Sequence, residues 1–372
     1  QLQEVLFDEL QLPKSKKIKT SYRAAVNFFG DRNVYLSLHL KYQLFMNILI
    51  VDNGKIPAVN YGGTERVIWY LGKELLKLGH QVSYLVKEGS TCDFAKVIIR
   101  DNTKTISSQI PSNIDVVQFN FSPKEEINIP HIITVHGNSN DKNEFDKNSV
   151  FVSKNHAERF GSTSYVYNGL DWSDYGKVDL NNDRKYFHFL AKAAWRVKNV
   201  KGAIAVVEQT PQEKLHVVGG TRLNISMGFR FTTSARVRFH GMLGGQDKLN
   251  VLQKSKGLIF PVLWNEPFGL SIVESLYFGC PVFATPYGSL PEIVNKEVGF
   301  LSAHSSELAE AIQHSSQYDR KKCHDYAIEF FNSATMAKNY LQKYELVLNG
   351  KKLNEQKPQL KLIQNERFLP WD

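Results

Sequence analysis

The run Glu266-Pro267-Phe268-Gly269-Leu270-Ser271-Ile272-Val273-Glu274, preceded by Leu258-Ile259-Phe260-Pro261-Val262, decides how this chain folds. The stretch from Leu258 to Val262 is apolar and reads as a buried strand. The Pro-Phe-Gly turn then opens a helix. Strand, tight turn and helix in this order aim backbone N–H groups at an anion, with Phe268, Gly269 and Leu270 supplying them. Glu266 falls in the loop, and Glu274 lies between one and two turns into the helix. The two acids therefore flank one anion site instead of sharing a helix face.

Working outward, the chain alternates strands with helices from Met46 onward. Met46-Asn47-Ile48-Leu49-Ile50-Val51 reads as a first buried parallel strand, with strand Ile48–Asp52 leading to the loop Gly54–Gly63. Val67, Ile68, Leu71, Leu75 and Leu78 recur at a helical period over Thr64–Leu78, and Gly79 stops that helix. Strands are expected at Gln81–Val86, Val116–Phe119 and His131–Val135, another starting at Phe151-Val152, and one at Tyr165–Tyr167. A second set runs through Tyr186–Leu190, Leu215–Val218, Val237–His240, Leu258–Val262 and Pro281–Ala284. This alternation predicts two mainly parallel α/β units facing a cleft. The polar segment Trp172–Arg184 is the expected linker, so the units span 46–184 and 185–332. Residues 333–372 would add a helix over Thr335–Leu348 and a polar, basic tail from Gly350 with no assignable role. Residues 1–45, with the basic patch Lys14–Lys19, form an extension of unassigned role.

Composition narrows the classes. The chain has 372 residues, 42% hydrophobic and 22% charged, ordinary for a globular protein with two real cores. No run of eighteen apolar residues appears, and no signal-peptide pattern opens it. Cys92, Cys280 and Cys323 are scattered without metal-ligand spacing, which fits a reducing cytoplasm. The net charge is +9. It is compatible with an anionic membrane surface or a diphosphate substrate; no aromatic platform or recognition helix points to nucleic acid.

The block Ser255–Val294, with its E-x7-E pair Glu266 and Glu274, resembles the signature region of the retaining family 4 glycosyltransferases. The sequels Gly279-Cys280-Pro281-Val282-Phe283-Ala284-Thr285 and Gly288-Ser289-Leu290-Pro291-Glu292-Ile293-Val294 extend the resemblance. It implies the GT-B fold, two Rossmann-like domains about a central cleft. It further implies transfer of a sugar from a nucleoside-diphosphate sugar, a UDP- or GDP-sugar, to a hydroxyl of a saccharide or glycolipid, with retention and without a metal or other cofactor. Lipopolysaccharide, capsule or glycolipid assembly on the cytoplasmic face of a membrane is the expected setting.

Site expectations follow residue by residue. By the resemblance, Glu266 orients hydroxyls of the donor sugar, Glu274 holds the ribose, and His136, just past a strand end, touches the transferred sugar. Gly62 and Gly63 in Tyr61-Gly62-Gly63-Thr64-Glu65-Arg66 lack Cβ atoms, so backbone can approach a phosphate closely. This is not the GxGxxG dinucleotide fingerprint. Ser153-Lys154 and Asn168-Gly169 match family landmarks, the latter read mainly as a turn. The diphosphate cations admit two registers. Aligning on the strand end selects Lys192 and Lys198; aligning on Lys-Gly selects Arg196 and Lys201. The first is preferred because Lys192 directly leaves the strand. A sugar-nucleotide epimerase of the same architecture and a non-catalytic nucleotide-sugar-binding homologue are the competing readings.

Overall fold

The computed structural model describes residues 45–58, 62–225 and 227–372. The expected extension with its Lys14–Lys19 patch, and Tyr61 of the glycine loop, lie outside them.

Ile48–Val51 is buried completely and with Asn47 forms β1 (Asn47–Val51); one face of its strand packs on Ile106, Ile114 and their neighbours in the loops beyond β3. The neighbouring strands are β2 (Gln81–Val86), β3 (Lys96–Ile99), β4 (Val116–Phe119), β5 (His131–Val135) and β6 (Ser149–Phe151). They make a six-stranded parallel sheet in the order β3-β2-β1-β4-β5-β6. The second sheet contains β7 (Tyr186–Leu190), β8 (Leu215–Val218), β11 (Val237–Phe239), β12 (Ser255–Phe260), β13 (Val282–Ala284) and β14 (Gly299–Leu301). Its order, β11-β8-β7-β12-β13-β14, repeats the topology of the first, and it too is parallel throughout. The short strands β9 (Leu223–Asn224) and β10 (Arg230–Phe231) pair antiparallel as a separate ribbon. Each large sheet thus reverses its winding between its first and fourth strands, and ligands of such sheets bind outside the strands' carboxyl ends at that point.

The helices are α1 (Gly63–Lys77), α2 (Lys154–Arg159), α3 (Val200–Glu208), α4 (Gly245–Gln253), α5 (Leu270–Tyr277), α6 (Leu290–Ile293), α7 (Ser305–Gln313), α8 (Arg320–Phe330) and α9 (Ser333–Leu348). α9 crosses back to the first sheet and packs on α1 and β5. Its Tyr340 and Tyr344 are buried and bond Thr134 and Gln118. The crossing point is tight. Leu170 N–H donates to Phe331 O at 3.0 Å and Ser333 N–H to Leu170 O at 2.9 Å. A Cβ on Gly169 would stand 2.1 Å from Asn332 O. The Asn168-Gly169 turn is therefore where the two connections between sheets touch.

Several expectations need correction. Tyr165–Tyr167 is not a strand: Tyr165 makes one bridge to Phe151, and the chain then turns toward Asn332. The strand expected to start at Phe151 ends there, because Val152-Ser153 turn into α2. β12 starts at Ser255 and stops at Phe260, after which Leu263 N–H bonds Val197 O in the loop after β7 instead of continuing a ladder. β3 and β14 carried no strong signal because both are short edge strands with partly exposed residues. The polar tail has a definite course. Gln359 and Lys361 N–H groups bond Phe160 O and Arg159 O beside α2, and Leu369 N–H bonds Leu263 O at 2.8 Å. The tail thus runs from the first unit back to the second.

Candidate active site

Glu266 lies in the loop after β12, as its sequence position requires, and it is 6% exposed. Its Oε2 accepts from Lys198 Nζ at 2.5 Å and from Trp264 Nε1–H at 2.7 Å. Lys198 reaches it from the loop after β7 and lies over the Phe260 and Trp264 rings. Oε1 has no protein partner among the described residues. Gly288 holds the loop in place: its φ is +65°, and a Cβ there would meet Glu266 N and O at 2.3 Å. Ser289 N–H donates to Glu266 O, and Ser289 Oγ–H to Phe268 O. The Gly288-Ser289 part of the sequence block therefore buttresses the acid loop and need not touch a ligand.

Gly269 is the N-cap of α5 at φ +89°, with no side-chain cap, so the first turn's N–H groups remain available to an anion. Leu270 faces Gly63 across the cleft: a Cβ on Gly63 would lie 3.3 Å from Leu270 Cδ1. Phe268 is buried in the core and does not line the cleft with its side chain.

Glu274 is 2% exposed on the buried face of α5. Its Oε1 accepts from Arg66 Nη1 at 2.6 Å and from Tyr175 O–H at 2.8 Å, and it also pairs with Lys248 Nζ. Oε2 has only a long contact to Arg66 Nη2, 3.4 Å. Burial alone would raise the Glu274 carboxyl, but the Arg66 and Lys248 charges outweigh it and hold the acid well below the usual range. Burial conversely pulls Lys248 down against the pull of Glu274. Arg66, Lys248 and Tyr175 also line a cavity of about 260 Å³ with Trp69, Tyr70 and the Gly244-Gly245 start of α4. Arg66 belongs to the first unit and Glu274 to the second, so this cluster ties the units together.

His136 sits just past β5, and its Nε2–H donates to Asn120 Oδ1 at 2.8 Å. Asn120 follows β4 and is itself fixed by donating Nδ2–H to Val51 O. Burial pushes the His136 imidazole down to about 4, so at neutral pH it is an uncharged ring with one nitrogen fixed. The loop beyond it is held by His156 Nε2–H on Gly137 O, and Asn138 Nδ2–H reaches Asn265 O at 2.7 Å across the cleft. Ser153 caps α2, and Glu292 accepts from Asn155 N–H at 3.2 Å and from Tyr167 O–H.

Of the four candidate cations, Lys198 alone meets an expected acid. Lys192 is half-buried beside the Trp195 ring, and Arg196 is exposed and stacks on Phe368 of the tail at 4.9 Å. Lys201 is exposed on α3. Sequence reasoning missed Asn120, Tyr175, Trp264 and Lys248, and it quoted Arg66 without a role. Only Arg66 had a signal, its place in the first turn of a helix opened by two glycines.

Asp52, at the end of β1, has a separate consequence. Burial raises its carboxyl to about 6, against the N–H of Gly54 that its Oδ2 accepts. An acid raised in the folded state contributes stability that is complete below its unfolded value and lost as pH rises toward 6. Asp52→Asn keeps the Gly54 bond. We expect it to be more stable than wild type by about 3 kcal/mol at pH 7 and equal to it near pH 3.5, measured by urea unfolding. An equal gain at both pH values would contradict this.

Residues 172–330 match the family model described as glycosyl transferases group 1. No curated protein matches the chain by sequence. Among solved structures, a glycosyltransferase involved in avilamycin A biosynthesis superposes with TM-score 0.67 at 17% identity, over 82% of this chain and 98% of that one. Sucrose-phosphate synthase from Thermosynechococcus elongatus gives 0.64 at 17%, over 82% and 100%. The Anabaena HepE protein in complex with UDP and glucose gives 0.57 at 17%, over 80% and 98%. At these identities the likeness establishes the fold. The chain has the GT-B fold, two parallel-sheet Rossmann-like units, and its residues 172–330 are similar to the group 1 glycosyl transferases.

Proposed function

We propose that this chain is a retaining glycosyltransferase. It would move a hexose from a UDP- or GDP-sugar to a hydroxyl of a saccharide or glycolipid acceptor. The observation that carries the reading is the pair of buried acids around the α5 N-terminus. Glu266 commits one oxygen to Lys198 and Trp264 and keeps Oε1 free, while Glu274 commits Oε1 and leaves Oε2 nearly free. Each acid is thus fixed in position and retains an acceptor for a sugar hydroxyl.

In this reading Glu266 orients the donor sugar and Glu274 the ribose. The bond from the anomeric carbon to the β-phosphate oxygen breaks, the acceptor oxygen bonds the same face, and the acceptor proton leaves with the phosphate. Lys192, Arg196, Lys198 and the N–H groups of Gly269 and Leu270 oppose the charge that develops on the diphosphate. Neutral His136, oriented by Asn120, hydrogen-bonds the transferred sugar. Cleft closure through Asn138–Asn265 and Arg66–Glu274 keeps water from the donor. The Anabaena HepE protein, which shares the fold, was found with UDP and glucose, and this supports a nucleotide sugar. The excess of nine positive charges supports work near an anionic membrane, in lipopolysaccharide, capsule or glycolipid assembly.

Calorimetry of the full chain against a panel of UDP- and GDP-hexoses tests the reading. One donor should bind, and its affinity should fall at least tenfold in Lys192→Ala, a half-buried side chain whose loss leaves the core intact. Absence of binding across the panel would remove the catalytic reading and leave a scaffold.

A further inference from the structure

The tail after α9 returns to the second unit beside the loop that carries the candidate cations. Its run Arg367-Phe368-Leu369-Pro370-Trp371 is pinned on both sides. Upstream, Asn140 Nδ2–H donates to Gln364 O at 2.7 Å, Gln364 N–H donates to Asn140 Oδ1 at 3.3 Å, and Asn265 Nδ2–H donates to Gln364 Oε1 at 3.2 Å. Downstream, Leu369 N–H donates to Leu263 O at 2.8 Å and Tyr287 O–H to Pro370 O at 2.6 Å. Trp371 packs, half-buried, on the core that holds Phe187 and Phe283. Leu263 in turn donates its own N–H to Val197 O at 2.7 Å, which couples the tail to the cation loop through one residue. Phe368 stands between these anchors and is half-buried, so its ring is held in place.

Arg196 meets that ring, its guanidinium carbon 4.9 Å from the centroid. The turn of the β9–β10 ribbon backs its stem, since a Cβ on Gly228 would lie 3.7 Å from Arg196 Cδ. Among the described residues no carboxylate or carbonyl takes the Arg196 N–H groups. A guanidinium stacked by its face keeps its in-plane N–H groups for a phosphate. Arg367 lies over the same ring at 5.4 Å, also without an acid among the described residues. Two uncompensated positive charges on one ring favour an anion there. Arg196 opens the single turn Arg196–Lys198, whose Lys198 reaches Glu266. An exposed arginine ordinarily samples many rotamers, and ordering it on a ligand weakens binding. The Phe368 ring and the ribbon turn restrict Arg196 in advance.

We propose that Phe368 is a positioning residue of the donor site: it holds the Arg196 guanidinium by its face, so that the N–H edge meets the diphosphate of the nucleotide. This rests on the proposed transfer reaction. It also gives the tail a task, because the anchors at Gln364 and Leu369 fix the ring that fixes the cation.

The test is a double-mutant cycle read by calorimetry with UDP and with GDP. Phe368→Ala should weaken binding of the preferred nucleotide by about two- to fivefold, the span of an exposed cation–π contact. Phe368→Tyr, which keeps the ring, should bind as wild type does. In Arg196→Ala, adding Phe368→Ala should weaken binding no further. In Lys192→Ala it should weaken binding by the same factor as in wild type, because Lys192 lies over Trp195 instead. A Phe368→Ala loss that persists undiminished in Arg196→Ala would mean that the tail merely loosens the fold, and it would overturn the proposal. Wild-type affinity in Phe368→Ala would overturn it as well. Either result leaves the transfer reaction standing. A wild type that binds neither nucleotide would overturn both.

Discussion

Glu274→Ala should cost the protein about 3–5 kcal/mol of stability, whereas Lys248→Met should cost little. Among the described residues Glu274 is the single acid in a cluster with Arg66 and Lys248, which there carries one positive charge in excess. Removing the acid leaves two cations facing each other, Lys248 nearly buried and Arg66 partly so, with no acid between them. Removing Lys248 leaves a balanced Arg66–Glu274 pair that Tyr175 still satisfies. Arg66→Met should fall between, because Lys248 and Tyr175 remain on the carboxylate while the tie between units is lost. Urea unfolding of the three variants reads the order directly. The donor should also stop binding in Glu274→Ala and persist in Lys248→Met. Stability of Glu274→Ala at the wild-type value would mean that the cluster is not closed as described.

Glu266→Gln should lower the rate of sugar transfer by about 100-fold or more while leaving affinity for the nucleoside diphosphate nearly unchanged. Glutamine keeps the shape and an acceptor for Lys198 and Trp264 but loses the charge that orients donor hydroxyls as the anomeric carbon becomes positive. Lys198→Ala should reduce both rate and diphosphate affinity, since it removes a cation and leaves Glu266 buried with only Trp264 as partner. The contrast between the variants separates orientation of the sugar from stabilisation of the leaving group. Equal loss of diphosphate affinity in both would place Glu266 on the phosphate side.

Much of this architecture was legible because parallel strands buried on both faces read as unbroken apolar runs. Tyr186–Leu190, Leu215–Val218 and His131–Val135 begin and end where their patterns do. Edge strands β3 and β14 escaped because half-exposed residues dilute the run. Tyr165–Tyr167 misled for the opposite reason: three β-formers stand in a row, but Tyr165 makes a single bridge to Phe151 and Tyr167 turns onto Phe268 and Phe331 without a ladder to join. At the site, Glu266 and Glu274 stood out through fixed local spacing. Their partners did not. Arg66 lies 208 positions from Glu274, and Lys198 lies 68 from Glu266, so only the fold brings them together. The Leu223–Phe231 alternation was present in the sequence, yet no local rule says which face of so short a ribbon meets solvent. The tail was similarly silent, because its course depends on backbone bonds to Arg159, Phe160 and Leu263.

The central claim is that this cleft transfers a sugar from a nucleotide, and release of nucleoside diphosphate tests it most directly. The purified chain, given the nucleotide hexose that binds in calorimetry, should release diphosphate slowly by hydrolysis and faster with a saccharide or glycolipid acceptor. Glu266→Gln should bind the same diphosphate and release about a hundredth as much in the same time. Identical release by wild type and Glu266→Gln, or none from a donor that binds tightly, would contradict the account.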